Sequence, residues 1–200
     1  AWQDAGAGGC QILHAFSNST NKMLRCNGYS FTTSVTQTQT VSKFEIGSRN
    51  YCYITQTGSL ECGGSDSLTP PSGTYADVSV GWNYGCAIDT NNAIVCWGDD
   101  NDLWGNYVGH VSTAPSGSFS VITSSSWWVN CAIDLSGQLQ CWGGPGLYAS
   151  SGGIESPPSG TYQDVSMGYS HACAIDSNQE IVCWGDSSNN KLNHPSGTYS

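Results

Sequence analysis

The chain has 200 residues, with 15 Asp and Glu against 5 Lys and Arg, a formal net charge of -10. Such a surface repels phosphate backbones and anionic lipid, which excludes nucleic acid and membrane-surface partners from the expected functions, and no apolar run approaches the roughly 20 residues that cross a bilayer. Only 10% of residues are charged while 25 are Gly, 8 Trp and 10 Tyr, a balance that rules out a mainly helical protein and favours short strands joined by turns.

No charged segment followed by an apolar stretch stands at Ala1, so the start is expected to be that of a mature form after loss of any signal peptide. Ten cysteines follow, at positions 10, 26, 52, 62, 86, 96, 131, 141, 173 and 183, and the last eight form four pairs that each enclose nine residues. No C-x-x-C occurs, which argues against zinc ribbons and thioredoxin-like centres. Free buried thiols would satisfy the composition too, but such regular pairing in an acidic, Lys-poor chain favours disulfides. The expected bridges are Cys10–Cys26, Cys52–Cys62, Cys86–Cys96, Cys131–Cys141 and Cys173–Cys183, and the expected compartment is secreted, extracellular and oxidising.

The first cysteines of the pairs are spaced by 42, 34, 45 and 42 residues, so the chain reads as five units of mean length 40. In the first unit the Cys10–Cys26 loop is longer, and its middle carries Asn18-Ser19-Thr20, the chain's one N-x-S/T sequon, where a glycan is expected on Asn18 in a eukaryotic source. Residues 32–40, rich in Thr, stand where other units have Pro-Ser-Gly and are a weak candidate for O-linked sugar. A looser second unit spans 41–63. The third, residues 71–98, reads PSGTYADVSVGWNYGCAIDTNNAIVCWG; the fourth spans 115–143, and the fifth, 158–185, reads PSGTYQDVSMGYSHACAIDSNQEIVCWG. Ser-Gly-Thr-Tyr at 196–199 and Trp-Gln-Asp at 2–4 together resemble residues 159–164, so one unit is expected to be divided between the two ends, closing a ring or joining neighbouring molecules.

Within a unit, Phe44 and Ile46, Val78 and Val80, and Val165 and Met167 alternate with polar residues, which predicts half-buried strands. Gly47, Gly81 or Gly168 then bends the chain. Each cysteine pair frames a hairpin with a three-residue turn, Gln56–Gly58, Thr90–Asn92, Leu135–Gly137 or Ser177–Gln179, whose third residue takes the left-handed conformation. Asp89, Asp134 and Asp176 precede three of these turns and are expected to cap them. A fourth short strand is expected around Leu68, Leu103, Leu147 or Leu192, with Phe31 in the first unit. Four strands repeated five times predict an all-β fold, a five-bladed β-propeller forming one domain over residues 1–200.

The pattern G-x-x-x-x-C-A-I-D-x-x-G/N-x-x-x-C-W-G resembles repeats of the regulator of chromosome condensation family, most closely its secreted, cysteine-paired members. His171 stands where such repeats often carry His, while Asn50, Tyr84 and Val129 depart from it. The resemblance implies the propeller fold and leaves the activity open, since relatives include exchange factors, inhibitors and extracellular proteins. A five-bladed ring is also similar to the tachylectin architecture, a sugar-binding propeller.

His14, His110, His171 and His194 occupy different repeat positions without a nucleophile elbow or zinc motif, so no catalytic residue, metal or cofactor is expected. Asp99, Asp100, Asn101 and Asp102 offer oxygen ligands for calcium but lack the spacing of an EF-hand loop, and read as a solvated loop. Trp97, Trp142 and Trp184 recur in Cys-Trp-Gly and are expected to pack between blades. Trp82, Trp127, Trp128 and Tyr169 follow the strand bends, and Trp104 follows the acidic run. Two roles stay open for them: filling wedges between blades, or forming with Asn83 and Asp102 a site for carbohydrate or an extracellular protein. The function classes are therefore a lectin-like or adhesion propeller, a subunit of an extracellular glycoprotein fibril built head to tail, and a protein-binding inhibitor, all non-enzymatic.

Overall fold

A computed structural model of the chain describes residues 10–12, 21–26, 29–34, 41–65, 68–125, 128–144 and 153–199, the strands before residue 41 by their backbone pairing alone. Among the described residues the chain forms fifteen strands in five three-stranded antiparallel sheets. The first sheet holds β1 (Cys10–Ile12), β2 (Asn21–Cys26) and β3 (Tyr29–Ser34), and the second β4 (Val41–Ile46), β5 (Asn50–Thr55) and β6 (Leu60–Gly64). The third holds β7 (Tyr75–Val80), β8 (Tyr84–Asp89) and β9 (Ile94–Gly98), and the fourth β10 (Phe119–Ser124), β11 (Val129–Asp134) and β12 (Leu139–Gly143). The fifth holds β13 (Tyr162–Met167), β14 (His171–Asp176) and β15 (Ile181–Gly185), followed by a short 3-10 turn at Ser188–Asn190.

The hairpins form in the register that the cysteine spacing predicts. Cys86 lies opposite Cys96, Ala87 opposite Val95 and Ile88 opposite Ile94, and the same alignment recurs in the second, fourth and fifth sheets. Disulfides join Cys52–Cys62, Cys86–Cys96, Cys131–Cys141 and Cys173–Cys183 across facing positions whose Cα atoms are 4.0–4.1 Å apart. In the first sheet the backbone places Cys10 opposite Cys26 in that register; the expected bridge, and the Asn18 sequon, lie outside the described side chains and residues.

The turns follow local chemistry. Gly58, Asn92, Gly137 and Gln179 all have positive φ, between 65° and 84°, at the third turn position. The Asp89 carboxylate accepts the N–H groups of Asn91 at 2.8 Å and Ala93 at 2.9 Å, and Asp134 and Asp176 repeat the pattern. Thr55 does so with its hydroxyl in the second sheet, taking the N–H of Ser59. The N–H groups of Ala93 and Asn91 hold the Asp89 carboxyl below the usual carboxylate range.

Two expectations are corrected. In the sheets after the first, the expected fourth strand is absent among the described residues: Leu68 is buried in an irregular segment, Leu103 is 53% exposed, Leu192 is half-buried, and Leu147 lies outside the described residues. These segments are rich in Gly, Pro, Asn and Asp, whose side chains and turns satisfy the backbone locally instead of through a ladder. The strand around Phe31 does form, as β3. Second, β7 is buried on both faces rather than half-buried, as is its partner β8, because the third sheet is packed between the second and the fourth.

The core lies between sheets, in three clusters. One joins Ile54 and Leu60 to Val78, Val80 and Trp97; the next joins Tyr84 and Ile88 to Phe119, Ile122 and Trp142; the third joins Val129 and Ile133 to Tyr162, Val165 and Trp184. The tryptophans of the Cys-Trp-Gly segments, 6–7% exposed, thus pack between successive sheets as expected. Trp142 Nε1 donates to the His110 carbonyl at 3.1 Å and Trp184 Nε1 to the Ile154 carbonyl at 2.8 Å. Asp77 ties three sheets together: it pairs with Lys43 at 3.0 Å and accepts the N–H of Ile122 at 3.1 Å.

The third, fourth and fifth sheets each also start on the hairpin turn of the one before. The N–H groups of Tyr75, Phe119 and Tyr162 donate to the carbonyls of Gly58, Asn92 and Gly137 at 2.8–2.9 Å. Tyr199 makes the same bond to Gln179 at 2.7 Å, and its hydroxyl donates to the Pro195 carbonyl as those of Tyr75 and Tyr162 do to Pro71 and Pro158.

Candidate functional site

The segment between β9 and β10 is a long linker built on its own acidic residues. Asp99 Oδ1 accepts the backbone and side-chain N–H groups of Asn101. The Asp100 carboxylate reaches across the loop to the N–H groups of Val111 at 2.7 Å and Ser112 at 3.1 Å, closing its base. Asp102 Oδ1 accepts from Trp104 N–H at 2.9 Å and Asn106 N–H at 2.7 Å, and Oδ2 accepts from Asn106 Nδ2 at 2.9 Å. Desolvation would raise the carboxyls of Asp100 and Asp102, but these hydrogen bonds outweigh it and hold both below the usual carboxylate range. The acidic run therefore serves the backbone of its own loop.

The consequence is a rigid turn that carries three exposed apolar side chains. Leu103 is 53%, Trp104 63% and Tyr107 64% exposed, while Asn101 and Tyr107 pair as an isolated antiparallel bridge. The Tyr107 hydroxyl shares a 2.6 Å hydrogen bond with Ser112 Oγ. Trp104 rests edge-on against Trp128, with ring centroids 6.2 Å apart and planes at 68°. Exposed aromatic groups on a fixed loop are the usual form of a binding contact, since little side-chain entropy remains to be lost.

The residues expected from sequence fall into distinct places. Asn83 Nδ2 donates to the Asn101 carbonyl at 3.3 Å, and its own carbonyl accepts the N–H of Asp99, so the bend after β7 anchors the loop. Asp102, 5% exposed, is the loop's internal cap. Trp128, 2% exposed with φ of 63°, lies in the core cluster beneath Trp104 and offers no open face. Trp82 is half-buried at the junction of the second and third sheets, where the Arg49 guanidinium lies 5.6 Å from its ring centre and its carbonyl accepts from Asn50 Nδ2. Tyr169, 57% exposed, stands on the corresponding bend of the fifth sheet. Trp127 lies outside the described residues.

The structure thus brings Asn83, Asp102, Trp104 and Trp128 together and separates Trp82 and Tyr169 from them. It adds Tyr107 and Asn130, which sequence reasoning passed over, and Leu103 and His110, which it read as a strand residue and as a histidine without a catalytic motif. The available signal was the linker from Cys96 to Pro115, longer than that from Cys62 to Pro71. Asn130 is fully buried and bridges the sheets: Tyr84 Oη donates to its Oδ1 at 2.9 Å, and its Nδ2 donates to the His110 carbonyl at 2.8 Å.

Two stretches, residues 75–102 and 162–191, match the regulator of chromosome condensation (RCC1) repeat. No curated protein matches the chain in sequence. Among solved structures, the chain is similar to the entire ectodomain of the receptor kinase CR4 of Physcomitrella patens, with a TM-score of 0.61 and 22% identity over 76% of this chain and 43% of that one. It is also similar to the CRINKLY ectodomain of the Arabidopsis thaliana receptor kinase ACR4, with a TM-score of 0.58 and 15% identity over 88% and 64%. Yeast RCC1 (Prp20), solved with Kap60 bound, gives a TM-score of 0.62 and 13% identity over 92% and 55%. The chain spans 43–64% of the length of these three structures, and at such identities the likeness is one of fold.

Proposed function

We propose that this chain, which carries RCC1 repeats on a propeller fold, is a non-enzymatic extracellular binding module whose contact surface is the Trp104 loop. The observation that carries the reading is Trp104 itself, 63% exposed on a turn whose backbone Asp102 caps. Its ring offers an apolar face for the C–H side of a sugar or for a side chain of an extracellular protein, with Leu103 and Tyr107 beside it. Four disulfides suit an oxidising compartment, and two of the similar structures are receptor ectodomains. Screening the purified chain on a glycan array, then measuring the hit by calorimetry, tests the carbohydrate form of the reading. Trp104→Ala is expected to weaken such a hit by about thirtyfold, the effect of a central aromatic contact, with an unchanged melting temperature because the side chain is largely outside the core. An unaltered affinity overturns the assignment of Trp104.

A second reading, a five-unit ring or a head-to-tail assembly, is favoured by the Tyr199 bond to Gln179. That bond repeats the junction by which each sheet receives the next. Among the described residues the strand of the first cysteine, β1, is an edge of the first sheet, whereas its counterparts β5, β8, β11 and β14 are central. A strand beginning at Tyr199 and continued by residues 1–9 would fill that edge, making residues 1–200 one closed five-bladed domain in one molecule or linking it to the next. Deleting residues 195–200 is expected to lower the melting temperature and promote self-association, since an unpaired edge invites pairing. A monodisperse monomer with unchanged melting refutes this second reading.

A further inference from the structure

We infer that His110 is an acid-sensitive lock on the Trp104 loop, so that protonation of its imidazole releases the loop from the junction of the third and fourth sheets. The inference rests on the proposed binding role of that loop only for its consequence, ligand release in acid.

The side chain of His110 is fully enclosed. Its Nε2 lies 2.5 Å from the Asp99 carbonyl, and because a carbonyl only accepts, Nε2 carries the hydrogen. Nδ1 is then a bare lone pair, buried and, among the described residues, without a hydrogen-bond partner. The Tyr84 ring covers the imidazole with centroids 4.0 Å apart. The backbone is pinned as well, since the His110 carbonyl accepts from both Asn130 Nδ2 and Trp142 Nε1. Imidazolium needs an acceptor at Nδ1, and the closed loop provides none.

The groups facing the ring decide the direction. From its own loop, Asp99 and Asp100 favour the charged form, but the Asp99 carboxylate is engaged with Asn101 and the Asp100 carboxylate with Val111 and Ser112. From β8 comes the Tyr84 phenol, neutral, with its own titration pushed far up by complete burial. From β11 and β12 come Asn130 and Trp142, neither of which titrates. Burial outweighs the two aspartates and lowers the affinity of His110 for a proton below the ordinary histidine value. An opened, solvated His110 titrates near pH 6.5, about the unperturbed value. The closed loop is therefore fully favoured above that pH and loses ground as pH falls below it, because the open state binds the proton first.

Hydrogen exchange on the native chain between pH 7.5 and 5.0, corrected for intrinsic rates, reads this directly. The amides of Val108, Val111 and Ser112, bonded to Asp100, are expected to lose about tenfold in protection, because the open state takes up the proton first. The amides of Ser136 and Gln138 are the control: they are capped by Asp134, whose carboxyl hydrogen bonds from Ser136 and Gln138 hold below the usual range, and are expected to stay protected. His110→Gln offers an amide donor toward Asp99 without a titrating group and is expected to flatten the response. The inference is overturned if the loop amides keep their protection, if the control amides lose it equally, or if His110→Gln still responds to acid. Should that variant not fold, the native comparison of the loop amides with those of the β11–β12 turn decides alone. No ligand enters the measurement, so its failure leaves the binding role of Trp104 standing, and loss of that role leaves the lock standing.

Discussion

Replacing Trp142 by alanine is expected to cost about 4 kcal/mol of folding stability, among the largest effects of a single buried substitution. Trp142 is 7% exposed and packs with Tyr84, Phe119 and Trp128 in the cluster between the third and fourth sheets. Alanine would leave a cavity where rigid sheets on both sides resist collapse, and it would remove one of the two donors to the His110 carbonyl. Trp142→Phe restores most of the volume but not the donor, so a cost of about 1–2 kcal/mol is expected there. Urea unfolding followed by circular dichroism measures both. A loss below about 1 kcal/mol for Trp142→Ala would mean that the sheets do not share this core. Set beside Trp104→Ala, the pair separates the two kinds of tryptophan that one composition contains.

Removing the Cys131–Cys141 bridge by a double alanine substitution is expected to cost about 3 kcal/mol, the loop-closure value for a loop of roughly ten residues. Cys131 is fully buried and Ala132 and Ile133 beside it are core residues, so alanine fits the site and the effect falls mainly on the unfolded chain. Thermal melting of the variant without reductant is expected to show a clear downward shift. An unchanged midpoint would show that the hairpin register alone holds the strands. Because the bridge joins residues that already face each other in the ladder, the fold is expected to survive its loss at room temperature.

Much of the fold was legible because it is local. Alternation of Val78 and Val80 with polar neighbours, the nine residues between the paired cysteines of the last four units, and an aspartate just before three of the turns are short-range signals, and each forms through contacts within one sheet. The left-handed residues at Gly58, Asn92 and Gly137 were readable for the same reason, while Gln179 takes that conformation without the residue type that announces it. Packing of Trp97, Trp142 and Trp184 followed from recurrence, since a residue repeated at one place in the hairpin turns toward the adjacent sheet each time.

The site was less legible. Trp104 and Trp128 both stand in polar, aperiodic segments, and no periodicity around either distinguishes the 63% exposed ring from the 2% exposed one. The difference arises because Asp100 and Asp102 fold the linker back on itself, lifting Trp104 outward and leaving Trp128 beneath it. Leu103 was read as a strand residue on the pattern of the other units, yet the same carboxylates satisfy the backbone that a fourth strand would have paired. Composition, spacing and period thus determined the cysteine hairpins, their turns and the four described bridges by themselves, because those depend on neighbours along the chain. Exposure of the aromatics, enclosure of His110 and the bridging role of Asn130 were decided by tertiary structure alone, because each depends on what the adjacent sheet places opposite.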